Sequence, residues 1–254
     1  MPEPATRRRA PAAAGGPREQ SLIGARLARL QGVPTQQAVV DELRRVILAG
    51  DVPPGTAIPL DEVAALFGVS LIPVRESLKV LIGEGLVEHR PRAGYTVAQL
   101  TRTELQELYV ARGVLENALL AAAVTVAGPA DHRHADRTHV LLGQALLDGD
   151  HRAYHRESRR FHLALVAPAR MRRLEAMVES AWNLTEPYRP MAYISDAERE
   201  RLHADHDLML RAFIGGDADA LLTAASEHHD RLLMAVAAMR DTEPETSVGA
   251  DDPH

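Results

Sequence analysis

The sequence predicts a mainly α protein in two parts: three short helices with a β-hairpin in the first hundred residues, then an all-α bundle of six to seven longer helices. Three observations carry this. Apolar residues recur at helical spacing through most of the chain. Strand-like alternation is confined to 86–89 and 95–98, on either side of a turn ending at Gly94. From Thr101 onward there is no alternation, only helical stretches separated by Gly and Pro breaks. The resulting division is a disordered tail at 1–20, a first domain at 21–99, a second at 100–240 and a second disordered tail at 241–254.

In the first domain a helix fills 34–50, with Val39 or Val40, Leu43, Val46 and Ile47 on its apolar side and Gly50 as its stop. A turn at 51–55 and an extended piece at 56–60 follow. Asp61 is then the expected N-cap of a second helix whose inner side is Val63, Leu66 and Phe67, and Gly68 ends it. Ser70 is the expected cap of a third helix at 71–82, where Pro73 is tolerated because first-turn amides have no helical acceptor. Val74, Leu78 and Leu81 form its buried face, which leaves Leu71, Ile72, Arg75 and Lys79 on or near the other side. The hairpin carries Arg90 and Arg92, and its Gly94 suits a positive φ. Helix, short helix, tight turn, helix and hairpin is the order of a winged helix-turn-helix. Its third helix would enter the major groove while the wing arginines reach phosphate or the minor groove. The alternative is a protein-protein module whose arginines are simply solvated.

Composition excludes several classes. The chain has 254 residues, 46% hydrophobic and 25% charged, which suits two soluble domains. With no cysteine, disulfide frameworks, thiol nucleophiles and cysteine-based zinc sites are excluded, so any metal would rest on His, Asp and Glu. The longest apolar run, 118–127, is far below the roughly 18 residues a membrane span needs, and no apolar signal core precedes it; a cytoplasmic protein without membrane contact is expected. The net charge of -6 is uneven: +2 over 1–20, zero over 21–99 and -8 over 100–254. A local basic surface in the first domain is thus compatible with an acidic chain.

GVSLIPVRESLKVLIGEGLV at 68–87, preceded by LDEVA at 60–64 and followed by RAGYTV at 92–97, closely resembles the DNA-binding domain of the GntR family of bacterial transcription regulators, over about residues 35–98. The resemblance implies a homodimeric repressor or activator on double-stranded operator DNA. Ser70 and Arg75 would contact backbone or bases, and the wing around Gly94 would approach the minor groove. Leu71 and Ile72 stand where the family usually has a basic and a hydroxyl residue. An Arg there could pair with guanine, whereas Leu and Ile offer only apolar contact, for instance to thymine methyls.

Six helices are expected in the second domain, at 101–127, 130–148, 150–166, 170–186, 196–214 and 217–240. Three of them place a histidine on an apolar stripe. His162 lies with Phe161, Leu165 and Val166, one turn after Ser158; His206 lies with Leu202, Met209, Leu210 and Phe213; His228 lies with Leu221, Ala225, Leu232 and Ala235. Each is either a hydrogen-bonded core histidine or a ligand. His132, His134, His139, His151, His155 and His203 are expected at the surface, and His229 is ambiguous.

TELQELYVARGVLE at 103–116, RFH at 160–162, DH at 205–206 and EH at 227–228 resemble the FCD domain, the effector-binding bundle of the FadR-like branch of that family. In many members an Asp four residues before the first His and three His hold a metal beside a small organic acid. By that resemblance His162, His206 and His228 are metal ligands for one Zn, Ni or Mn, and together with Ser158 and Arg112 they line the site of a small carboxylate effector. Ser158 replaces the Asp, so an ion would rest on neutral imidazoles plus water or effector. Arg112 reads either as an i, i+4 ion pair with Glu116 or as a clamp on the effector carboxylate. The function expected is a ligand-responsive DNA-binding transcription regulator, a repressor that binds a pseudo-palindromic operator as a homodimer and is released by a small organic-acid effector. The alternative is a metal-dependent hydrolase built on the three histidines, with Glu157 or Asp205 as its general base.

Overall fold

The computed structural model describes residues 20–30, 32, 34–92, 94–188 and 194–238. Apart from Gln20, the tails expected at 1–20 and 241–254 lie outside the described residues. The helix α1 (Gln36–Leu48) starts where Thr35 accepts a hydrogen bond from the Ala38 amide, and it closes at Gly50, whose φ is positive. A two-residue strand, β1 (Ala57–Ile58), precedes α2 (Leu60–Phe67). That helix is capped at Pro59 rather than at Asp61. Asp61 sits inside the first turn, where with Glu62 it faces the positive end of the helix dipole. Gly68, left-handed, ends α2 as expected.

Ser70 occupies the cap position of α3 (Leu71–Gly83), but its hydroxyl makes no capping hydrogen bond. The hairpin pairs β2 (Val87–Arg90) with β3 (Gly94–Val97) in the register Val87 to Val97 and Arg90 to Gly94. Because β1 pairs with the other edge of β3, the sheet has three strands in the order β1-β3-β2. The α1 residues Leu43, Val46 and Ile47 pack with Phe67, Val74, Leu78 and Leu81 in one core. Ile23 and Leu27 join it from the segment before α1, which is tied down where Glu62 accepts from the Ser21 amide at 3.0 Å and Glu42 from the Ala28 amide at 2.7 Å.

The second domain holds six α-helices among the described residues. They are α4 (Arg102–Val124), α5 (Pro129–Leu147), α6 (His151–Val166), α7 (Arg172–Thr185), α8 (Asp196–Gly215) and α9 (Ala218–Ala238). Capping boxes at Thr101 with Glu104 and at Ser195 with Glu198 fix the starts of α4 and α8. α4 packs on α7 and α9, α5 on α6 and α8, and α8 on α9, so α6, α8 and α9 can present side chains to one interior. At the start of the second domain the Leu100 amide donates to the Tyr188 hydroxyl, and between the domains Leu184 lies over Gly85.

Candidate functional site

Two regions collect the residues singled out above. On the first domain, α3 turns Ile72 outward at 69% exposure; Ser70, Arg75 and Lys79 are also exposed, and Leu71 is half-buried. Beside them, Arg75, His89, Gly94 and Tyr95 line an open hollow of about 670 Å³ between α3 and the hairpin. The cations here are not equivalent. Lys79 is held by Glu76 at 2.8 Å and Arg90 by Glu88 at 3.1 Å, whereas Arg75 and Arg92 have no ion-pair partner among the described residues. The wing tip adopts positive φ at Gly94, as expected, and also at Arg92, where a side chain normally disfavours it.

In the second domain, α6, α8 and α9 bring His162, His206 and His228 together, each at most 2% exposed. Their ring centroids are 4.4 to 5.2 Å apart, and one ligating atom from each lies within 4.8 Å of the others. His162 Nε2 is 3.2 Å from His206 Nε2. Two imidazole nitrogens about 2.0–2.1 Å from one tetrahedral ion would be about 3.3–3.4 Å apart, so this edge fits a metal without rearrangement. Burial, followed by the neighbouring imidazoles, holds His206 and His228 well below the ordinary histidine range and therefore neutral, as ligands must be. Ser158 is buried one turn before His162 and offers no carboxylate.

The carboxylate of this cluster comes from α4. Glu116 Oε2 accepts from His162 Nδ1 at 2.9 Å, and its Oε1 accepts from Trp182 Nε1 at 2.9 Å. Burial alone would raise the Glu116 carboxyl, but the charges of His162, His229 and Arg112 and the His162 hydrogen bond pull it well below its ordinary range. An ionised Glu116 makes His162 Nδ1 the donor, which turns the other ring nitrogen, Nε2, toward His206. Glu116 thus orients the His162 ring from behind and does not take the place of the carboxylate replaced by Ser158.

Of the two readings of Arg112, the ion pair is present: its Nε lies 3.3 Å from Glu116 Oε1, and the guanidinium stacks 3.9 Å from the Trp182 ring and 4.4 Å from that of Tyr109. His229 is buried and donates through Nδ1 to the Ala225 carbonyl at 2.8 Å. Gly113 admits it: a Cβ there would be 3.0 Å from His229 Cδ2.

Four histidines expected at the surface are not there; one, His132, is half-buried with its ring 5.5 Å from that of Phe213. His155 is buried, its Nε2 3.2 Å from Glu186 Oε1. His139 and His203 are half-buried and stacked at 4.9 Å, because α5 and α8 pack with these faces together. The proposed general bases are engaged elsewhere. Glu157 is paired with Arg156 and Arg160, and Asp205 with Arg231 at 2.9 Å.

With this geometry in hand, comparison with known proteins gives two family matches: "Bacterial regulatory proteins, gntR family" over residues 35–97 and "FCD domain" over residues 107–245. The probable D-xylose utilization operon transcriptional repressor of Paenarthrobacter nicotinovorans is 28% identical over 215 residues, 82% of this chain and 92% of that protein. The HTH-type transcriptional regulator YdhC of Bacillus subtilis (strain 168) is 26% identical over 175 residues, 65% of this chain and 75% of its own length. Among solved structures, McbR/YncC of Escherichia coli superposes with a TM-score of 0.70 at 25% identity, covering 81% of this chain and 98% of that one.

Proposed function

The chain belongs to the GntR family of bacterial transcription regulators, with an FCD domain after its DNA-binding domain, and from that premise we propose a repressor released from its operator by a small organic acid. Regulators of this family are not enzymes, and the hydrolase alternative has no support from the relatives or from Glu157 and Asp205. Among the described residues no helix is long and apolar enough to cross a membrane. The reading places the protein in the cytoplasm with its DNA.

In this reading two chains form a homodimer, and each α3 enters the major groove of one half of a pseudo-palindromic operator. Arg75 is the cation free to take guanine or phosphate. Ile72 and Leu71 supply apolar contact, and Ser70 and the Arg90–Gly94 wing meet the backbone. One observation carries the effector half of the proposal: three buried imidazoles from three helices meet in the bundle, backed by an ionised Glu116. His162, His206 and His228 would hold one Zn, Ni or Mn ion, which when bound supplies a Lewis-acid position for an effector carboxylate. Effector binding that favours a dimer geometry unsuited to DNA weakens operator binding by the ratio of its affinities for the two states.

The test has two arms. Selection of duplexes from a random pool by the full chain is expected to enrich a sequence with two related half-sites; enrichment of nothing, or of a single half-site, would remove the dimeric operator reading. Elemental analysis of untagged protein prepared without chelator should show a divalent metal, with one equivalent lost in His206→Ala. No difference between the two proteins would remove the metal.

A further inference from the structure

Outside that cluster, a second set of ligating groups lies where α5 meets α8. His203 and Asp207 are four residues apart and project from one face of α8, while His139 comes from α5. One ligating atom from each lies within 4.8 Å of the others. His139 Nε2 is 3.1 Å from Asp207 Oδ1, yet it is buried without a hydrogen bond, as is His203 Nδ1. A carboxylate beside one buried imidazole nitrogen, with a second such nitrogen in the same cluster and neither hydrogen-bonded, calls for an explanation.

We propose that His139, His203 and Asp207 form an outer divalent transition-metal site, separate from the central three-histidine cluster and independent of the reading given to it. Two imidazoles and a carboxylate suit Zn, Co or Ni and leave positions open for water. Asp207 is 42% exposed, which gives an ion a route from solvent. Among the described residues the cation paired with Asp207 is Arg211, 3.9 Å away and itself 75% exposed, a weak hold that an ion displaces. The two rings are now stacked at an interplanar angle of 13°, and near-parallel rings cannot both aim a lone pair at one ion. Loading therefore turns one ring about χ2. The absent Cβ of Gly143, which would lie 3.4 Å from His203 Nε2, leaves His203 space to do so.

The site also touches the central one through α8, which carries His203 and, one turn on, His206, with ring centroids 6.3 Å apart. Cobalt(II), followed by its visible absorption and by calorimetry, is the probe. It is titrated into metal-stripped, untagged full chain, wild type beside His139→Ala, Asp207→Asn and His206→Ala. Removing outer-shell partners alone costs about 10- to 100-fold in metal affinity, so losing a direct ligand is expected to weaken the outer ion at least tenfold. Asp207→Asn keeps the side chain's shape on a part-exposed surface, and its thermal unfolding by circular dichroism confirms the fold. The proposal predicts one ion lost or weakened in His139→Ala and Asp207→Asn and retained in His206→Ala. If His206→Ala removes nothing while His139→Ala removes the sole ion, the outer site stands and the central metal does not. Wild-type stoichiometry and affinity in both outer-site variants, or a wild type whose every ion is removed by His206→Ala, overturns it.

Discussion

Replacing Glu116 by Gln should destabilise the bundle far more than its small change in shape suggests. The wild-type carboxylate accepts from His162 and Trp182 at 2.9 Å each and faces Arg112 at 3.3 Å, with both members of that ion pair at most 2% exposed. Gln keeps one acceptor oxygen, so one hydrogen bond passes from a charge-assisted to a neutral acceptor at roughly 1–1.5 kcal/mol, while the other donor meets an amide NH2 and loses its bond at about 1–3 kcal/mol. Leaving Arg112 as a buried charge without its counter-ion costs about 3–5 kcal/mol. One carboxylate makes all these contacts, so the costs overlap and the expected loss is about 3–5 kcal/mol in total. Urea unfolding of metal-stripped protein, followed by the fluorescence of Trp182, the sole tryptophan, reads this directly because its ring covers Arg112. The double replacement Arg112→Met with Glu116→Gln should recover much of the loss, since it removes the orphaned charge and keeps an acceptor oxygen at 116. A loss below about 1 kcal/mol for Glu116→Gln would refute the reasoning, because Arg112 could then not depend on Glu116.

Arg75→Ala should leave the fold intact and weaken operator binding. If each copy in a dimer loses one bidentate base contact of about 1–3 kcal/mol, the total is about 2–6 kcal/mol, or roughly 30-fold to 10⁴-fold, in a fluorescence anisotropy titration; unchanged affinity removes Arg75 from the interface. Glu42 has its carboxyl lowered, first by the Arg45 hydrogen bond and then, against burial, by the Ala28 amide. Its contribution to stability is therefore full above the ordinary carboxylate value near 4.5 and is lost as pH falls through the lower folded value. Glu42→Gln should be less stable at pH 7 and show a shallower loss of stability below about pH 4.5, and parallel acid limbs for the two proteins would contradict this. Gly85→Ala should cost more than Gly94→Ala in thermal unfolding. Both have positive φ, worth about 1–2 kcal/mol to a side chain, but only at Gly85 would a Cβ meet a neighbour, 2.7 Å from Leu184 Cδ2. Equal costs would mean that Leu184 moves aside freely.

Much of the fold was legible because its signals are local. Gly50 and Gly68 stop their helices, the alternation around Gly94 makes the hairpin, and the Gly and Pro breaks separate six helices to within a few residues. The cap of α2 was misplaced because Pro59 and Asp61 both suit a helix start and sequence does not show which amide is the first without an acceptor. In the bundle, stripe position found His162, His206 and His228 one helix at a time, while only the resemblance supplied their convergence. Glu116 was read as a partner for Arg112 alone, since its link to His162 spans 46 residues of chain. His139 and His203 looked like surface residues because each lies off its own helix's apolar stripe; the packing of α5 on α8 half-buries them together.

The most direct test of a ligand-responsive regulator is the affinity of full chain for its selected operator duplex, titrated with a panel of small mono- and dicarboxylates. The account predicts that at least one weakens wild-type binding tenfold or more while leaving His206→Ala on the DNA. Operator binding indifferent to every carboxylate, or a response that survives unchanged in His206→Ala, would contradict it.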